Sequence, residues 1–471
     1  MKIKFICFSI LLFILNSCKL KQEKSDSPNF ILFLTDDQSW SGTSVQMSPD
    51  HPSSKSFYYE TPNLKKLSER GMVFSRGYSA SPVCSPSRYS IQFGKTAARL
   101  KMIRVGMNTS HIDHNEPNTI PKVLKDINPE YVTAHFGKWG IDADPSILGY
   151  DFHDGKNGNK EGGFNNDNSQ WKISFSEDPK NIFSLTSKAL DFIEKQKKYD
   201  KPFFLQVSHY AVHTNLISKK STYDKYVNKK KYSETDHPGF AAMNEDLDEG
   251  LGLILKKIEE LDLSDNTFII YTADNGSVPT IPARKFYKKS INYPLSRGKW
   301  DAMEGGIRVP FIIAGPGIKP ESINNIPVSG YDLLPTIIDI IDPNYKFSNQ
   351  IDGGSFKEIL FSNKIKSVKR GTDGLIFHVP YENKIALERA HSSIIRDDFK
   401  LIKFRDNNEI NLFNLNSDIS ELNNLIDSFP NIGNELETTL ENYLKNVKSI
   451  KWREGINWKN IDINDVNSFY E

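Results

Sequence analysis

The chain has 471 residues, 25% of them charged, and a formal net charge of +1. That length buries a large core and fits one large domain plus a smaller one. A charge so near balance excludes nucleic-acid binding through the overall field, so basic runs are judged where they fall.

Residues 1–17 read as an export signal. Lys2 and Lys4 form a positive start, and residues 5–15 are an apolar run,. The run is too short for a bilayer, which takes about 20 residues. Leu15, Asn16, Ser17 and Cys18 resemble a bacterial lipobox, with Asn16 its less usual member. An exported lipoprotein is expected, anchored to a membrane by lipid on Cys18, at the periplasmic face or cell surface. Residues 18–28 are polar and aperiodic, as in a tether,. The cysteines are at 7, 18 and 84. Cys7 leaves with the signal and Cys18 takes the lipid, so Cys84 has no partner for an intramolecular disulfide.

Residues 29–35 form a continuous apolar run, as in a parallel strand buried on both faces, and end at Asp36-Asp37,. Ligands of open α/β sheets lie at the carboxyl ends of strands. Two carboxylates there suit a hard cation; a solvated turn is the plainer alternative. Thr61-Pro62 starts a helix carrying Leu64 and Leu67, with Gly71 as its stop,. Residues 72–78 read as a strand leading to Ser81-Pro-Val-Cys84-Ser-Pro86-Ser-Arg88. Proline suits the first turn of a helix. Cys84 is therefore placed at a helix N-terminus, with Arg88 at i+4 on the same face. Backbone N–H groups and a guanidinium converging there make an anion site. The bland alternative is a buried cysteine beside a surface arginine.

A helix is predicted over 120–127 and a strand over 131–136, ending in Gly137-Lys138-Trp139-Gly140. Residues 154–170, rich in Gly and Asn, read as a long loop on the substrate side,. A helix over 182–196 precedes a strand over 202–208, then His209 and His213. Residues 240–261 are helical, and a strand over 266–272 ends in Asp274-Asn275-Gly276. This alternation predicts an α/β fold with a large, mostly parallel sheet flanked by helices. Asp36, Asp37, Lys138, His213, Asp274 and Asn275 all fall just after predicted strands. Past about 365 the composition shifts. Short antiparallel strands over 375–413 and a helix over 431–447, burying Ile432, Leu436, Leu440 and Leu444, predict a small C-terminal α+β subdomain,. The expected division is 29–365 and 366–471.

At this point the chain resembles the formylglycine-dependent sulfatases of the alkaline-phosphatase superfamily. Cys84-Ser-Pro-Ser-Arg88 matches that family's Cys-x-Pro-x-Arg signature. Asp36-Asp37, Thr61-Pro-Asn-Leu64, Gly137-Lys138-Trp139, Asp274-Asn275-Gly276, Gly298-Lys299, Glu304-Gly-Gly306 and Asp332-Leu-Leu-Pro-Thr336 follow in the family's order. The resemblance implies that a maturation enzyme converts Cys84 to formylglycine (3-oxoalanine). It implies one Ca2+ held by Asp36, Asp37, Asp274, Asn275 and residue 84. Arg88 would stabilise the hydrated aldehyde, Lys138 and Lys299 would clamp sulfate oxygens, and His213 would protonate the leaving alcohol. His209 is a further candidate for substrate contact or support. The family usually has Gly-Lys-Trp-His, and Gly140 stands where that histidine would assist release of sulfate. His135, His153 and His209 are the candidates to replace it.

The expected activity is hydrolysis of sulfate esters on a sulfated oligo- or polysaccharide, of ulvan or carrageenan type by family habit. The alternatives are a phosphatase or phosphonate hydrolase of the same superfamily, and a non-catalytic lipoprotein that binds sulfated glycan. Of two basic stretches, residues 219–231 read as a solvated helix or loop,. Arg284, Lys285, Lys288 and Lys289 lie between Asn275 and Lys299 and read as a subsite for an anionic polymer,.

Overall fold

The computed structural model describes residues 27–281, 289–362, 365–382 and 389–453. The signal, Cys18, most of the tether, and Arg284, Lys285 and Lys288 lie outside the described residues.

Asn29–Thr35 (β1) is buried along its whole length. Phe30, Leu32 and Leu34 face one core, and Ile31 and Phe33 the other. A strand covered on both faces has no solvent side to be polar, hence its continuous apolar run. The main sheet adds Gly71–Phe74 (β2), Val132–Gly137 (β3), Phe152–His153 (β4), Phe203–Ser208 (β5), Thr267–Ala273 (β6), Phe311–Ala314 (β7) and Ser322–Asn324 (β8). Their order is β8-β2-β7-β6-β1-β5-β3-β4. From β6 to β4 all neighbours are parallel, while β7 runs antiparallel to β6 and β2. Four adjacent parallel strands, β6, β1, β5 and β3, therefore deliver Asp274, Asp36, His209 and Lys138 to one edge of the sheet.

Helices cover both faces. Pro62–Glu69 (α1), Ile182–Tyr199 (α4) and Pro238–Glu260 (α5) bury Leu64, Ile193 and Leu251 against Ile31 and Phe33. Cys84–Phe93 (α2), Ile120–Ile127 (α3) and Leu333–Ile341 (α6) bury Ile91, Leu124 and Ile337 on the opposite face. The expected fold class is observed. Two local expectations are corrected. The strand expected over 72–78 is two, β2 and a short Gly77–Tyr78 that pairs with Val328–Ser329. Gly71 does not stop α1, since Arg70 closes it by donating to Leu67 O. Gly71 opens β2 instead, where a Cβ would come within 2.2 Å of Ile313 O.

Near the C-terminus, Leu375–Val379, His391–Arg396, Phe399–Phe404 and Ile410–Asn414 (β9 to β12) form an antiparallel sheet in chain order. One face packs Ile376, Ile394, Leu401 and Leu412 on Leu436, Leu440 and Leu444 of Pro430–Asn446 (α7), with Ile432 only partly buried. The other face, with Phe377, Ile395, Ile402 and Phe413, joins the core beneath α2. A buried charge cluster closes this join. Lys400 on β11, fully buried, pairs with Glu304 (3.0 Å) and Glu421 (2.7 Å). Glu304 also meets Arg308 (2.7 Å) and accepts from Tyr78 Oη (3.0 Å). Removing one member of a buried ionic cluster leaves its partners charged without compensation. Lys400→Met is expected to destabilise the fold by about 3–5 kcal/mol. Denaturant unfolding checks this, and an unchanged midpoint would reject the argument.

Candidate active site

The strand ends converge on three carboxylates. Ligating oxygens of Asp36, Asp37 and Asp274, all buried, lie within 4.8 Å of one another. Each carboxylate meets a cation. Lys138 Nζ donates to Asp36 Oδ2. Lys299 Nζ reaches Asp37 Oδ1 (2.7 Å) and Oδ2 (2.9 Å). Arg88 grips Asp274 Oδ2 through Nε (2.9 Å) and a terminal nitrogen (2.7 Å), and also donates to Lys138 O. Arg88 thus ties the start of α2 to the ends of β6 and β3. Asn275 donates to Asp37 Oδ1 (2.7 Å), and its own Oδ1 is buried without a partner, as is Asp36 Oδ1.

The electrostatics follow from burial and crowding. Burial opposes ionisation of Asp36, but Lys138, with help from His213, outweighs it and holds the carboxyl below the usual range. Burial pushes Asp274 up to about 6, the charge of Asp36 adding to the effect and Arg88 opposing it. Asp37 is also raised, first by burial. Carboxylates that raise one another this way call for a shared cation. The two unpartnered oxygens and the all-oxygen donor set fit a hard divalent ion.

Cys84 is the first residue of α2 and buried. The turn before it is bonded to the Lys299 segment, since Trp300 N donates to Pro82 O (3.0 Å). Lys299 is likewise next to the Asn275 turn, with Lys299 N donating to Ser277 O (2.9 Å). His213 donates from Nδ1 to Thr214 O (2.6 Å), which turns Nε2 toward Asp37 Oδ2 (3.7 Å) and Asn159 (3.4 Å). Burial, then Lys299, pull its pKa well below the usual histidine range. The structure therefore brings Asp36, Asp37, Asp274, Asn275, Arg88, Lys138, Lys299 and His213 together beside the helix that Cys84 starts.

Residues 28–343 match the family model described as Sulfatase. The chain belongs to the sulfatase family. Residues 299–449 also match N-sulphoglucosamine sulphohydrolase, C-terminal. This sulfatase is 26% identical to a sulfatase of Formosa agariphila over 91% of its own length and 90% of the relative's. It is 27% identical to an ulvan-active sulfatase of the same organism, covering 74% of this chain and 70% of that one. The crystal structure of Ps i-CgsB, determined also in complex with k-i-k-neocarrahexaose, superposes with a TM-score of 0.73. It is 24% identical and covers 94% of this chain and 99% of that one. As a sulfatase, the protein is a sulfuric ester hydrolase.

Among sulfatases the departure at Gly140 now has a place. A Cβ there would sit 3.1 Å from Arg88 Cδ and 3.5 Å from Ser85 Oγ, on a backbone of φ +69°. The position lies against the Cys84–Arg88 turn. The three candidate histidines each sit among other partners. His135 is buried, bonded through Nε2 to Ser208 Oγ (3.0 Å) and set against Trp139. His153 meets Asp144 (3.5 Å). His209 is wholly buried against the Phe33 ring (4.5 Å), and burial alone pulls its pKa to about 3. His209 thus packs on Phe33 just past its strand, with neither ring nitrogen hydrogen-bonded.

The sequence did not single out Lys180, nor Asn157 and Phe164 within the expected loop. Lys180 is 3% exposed and lies in left-handed backbone (φ 55°) just before α4. Burial pulls its pKa to about 7, with Asp36, Asp37 and Lys138 acting on it. The loop over 154–170 supplies Asn157, which accepts from Trp139 N (2.8 Å) and Gly140 N (3.1 Å), and Phe164, whose ring edge meets His213 (4.8 Å). Only the loop's Gly and Asn content signalled it. Residues 219–231 resolve as expected: Lys219, Lys220, Lys225 and Lys229 are ion-paired on the surface.

Proposed function

We propose that this sulfatase removes sulfate from a sulfated oligo- or polysaccharide, using a formylglycine made from Cys84 and one calcium ion. The observation that carries the reading is the cluster of three carboxylates, each capped by a cation, beside the turn that starts with Cys84. The names of the ulvan-active relative and of the k-i-k-neocarrahexaose complex support carbohydrate as the substrate class. Asp36, Asp37, Asp274 and Asn275 would hold calcium, which would supply a Lewis acid for a sulfate oxygen. Formylglycine would supply a hydrated aldehyde, one hydroxyl to attack sulfur and a second to re-form the carbonyl.

The remaining work falls to side chains already in place. Arg88 fixes Asp274 and lies one turn from residue 84, so the nucleophile and the carboxylates keep a constant geometry. Lys138 and Lys299 offer ammonium groups to sulfate oxygens, where charge accumulates during transfer. His213, held by its Nδ1 bond, presents Nε2 as the atom that passes a proton to the leaving alcohol,. Three carboxylates and three paired cations balance, so a dication leaves positive charge that an anionic ester offsets. The all-oxygen set also favours this reading over a phosphatase, for which two zinc ions and more histidines are expected. Sulfate release from defined sulfated oligosaccharides, compared with phosphate monoesters on the same preparation, tests it. Phosphate turnover without sulfate turnover would overturn it.

Lys180 is proposed as a further sulfate-facing cation. A lysine held buried in left-handed backbone costs about 1–3 kcal/mol, a strain that clusters at functional sites. Lys180→Met is expected to lower kcat/KM about 10- to 100-fold and to weaken product inhibition by inorganic sulfate. Unchanged sulfate inhibition would leave it a purely structural residue. Export and a lipid anchor on Cys18 belong to the same proposal, since an anchored enzyme stays near the glycan it consumes. Fatty-acid labelling that survives Cys18→Ala would reject the anchor.

A further inference from the structure

Three aromatic side chains stand in solvent around one cleft of 220 Å3: Phe57 (55% exposed), Tyr232 (63%) and Tyr293 (42%). Single exposed aromatics need no explanation, but several sharing a concave surface do. Two lysines flank them. Lys55 Nζ lies 5.4 Å from the Phe57 ring, and Lys289 Nζ lies 3.8 Å from the Tyr293 ring. The carboxylate in the cleft, Asp236, is turned inward and accepts from the backbone N–H of Tyr232 (2.6 Å) and Ser233 (2.8 Å). The cleft thus presents the Phe57–Tyr232 pair, with ring centroids 5.9 Å apart, and two ammonium groups, that of Lys289 seated over one face of the Tyr293 ring.

Its walls are linked through the chain and backbone hydrogen bonds to segments that carry the active site. One wall is the segment that follows Asp36-Asp37, beginning at Ser41. The other, residues 289–293, leads to Lys299. Asn292 Nδ2 donates to Ser277 O (2.9 Å), the same carbonyl that accepts from Lys299 N (2.9 Å). Ile291 N donates to Pro279 O (2.9 Å), so this wall is bonded to the turn just past Asn275.

We infer that this cleft is a distal subsite holding one ring of a sulfated glycan chain whose neighbouring sugar occupies the active site. The inference rests on the carbohydrate reading above and extends it to polymeric substrate. The cleft is smaller than the ~300–1,000 Å3 that encloses a whole ligand, which fits one ring of a longer chain. A pyranose presents a face of C–H groups to the electron-rich face of an aromatic ring, and its sulfate or carboxylate groups meet Lys55 and Lys289. Exposed charges of this kind steer a polyanion and set orientation.

The test compares long and short substrates. Phe57→Ala with Tyr232→Ala, and separately Lys55→Gln with Lys289→Gln, are assayed on sulfated ulvan and carrageenan oligosaccharides of several sugars and on 4-nitrophenyl sulfate. Each pair is expected to lower kcat/KM for the oligosaccharide at least tenfold, with turnover of the aryl ester within twofold of the parent. Equal losses on both substrates, or no loss on the oligosaccharide, would overturn the subsite. Calorimetric binding of the same oligosaccharides to the parent protein and the variants gives a second readout independent of turnover. Parent protein that releases no sulfate from any ester sinks the function proposed above, while unchanged binding by the variants sinks the subsite alone.

Discussion

Replacing Cys84 with alanine is expected to lower kcat/KM for sulfate esters by at least about a thousandfold, with the fold retained. Alanine suits the first turn of α2 and removes only a thiol, so the buried turn keeps its packing,. Arg88 keeps its hydrogen bond and ion pair with Asp274, because neither passes through residue 84. What is lost is the atom that meets sulfur. Cys84→Ser separates two parts of the reaction. A serine hydroxyl can accept the sulfuryl group, but it has no second hydroxyl to expel it. That variant is expected to accumulate sulfated protein, visible by intact mass, with no steady turnover. Peptide mass spectrometry of the active parent adds the decisive measurement. Sulfur retained at residue 84 in fully active protein would overturn the formylglycine reading, as would full activity in Cys84→Ala.

Much of this site was legible because it is built from strand ends. A parallel strand buried on both faces announces itself as an apolar run, and the first polar residues after it mark the ligand edge. Asp36, Asp274 and Lys138 could be read that way without knowing how the strands pair. The register of β1 between β5 and β6 then brings the strand ends side by side. Lys180 escaped because its approach depends on the chain reversal before α4. There Lys180 and Asn181 are both left-handed (φ 55° and 57°), and although asparagine favours that region, nothing about Lys180 signals it locally,. His209 is a different case, since its placement after a strand left both substrate contact and support open. It follows a strand, as the functional residues do, and its buried ring lies tilted against Phe33 (4.5 Å). Glu304 shows a third case. Its motif was recognisable, yet its partner Lys400 is 96 positions away, so its part in closing the C-terminal sheet onto the body needed the fold.

Removing divalent cations is expected to abolish sulfate release, with a loss of at least about a hundredfold, and calcium is expected to restore it where zinc does not. The donors are three carboxylates and an amide oxygen, a hard set that lacks the imidazole and thiolate ligands zinc prefers,. Burial first, and then the charge of Asp36, raise Asp37 and Asp274, so a cation among them offsets both desolvation and repulsion. Binding to the folded state alone must also stabilise it, by about 2.7 kcal/mol at a hundred times Kd. Calcium is therefore expected to raise the thermal midpoint of the full chain, a readout that does not depend on turnover. Asp36→Asn removes one charge from the set and unpairs Lys138 while keeping the side-chain shape. It is expected to lose most of the calcium-dependent rise together with activity. Full activity in chelated protein shown by elemental analysis to be free of metal would refute calcium's role. Restoration by zinc ahead of calcium would instead favour the phosphatase-like alternative. A calcium-dependent midpoint left intact in Asp36→Asn would place the ion elsewhere.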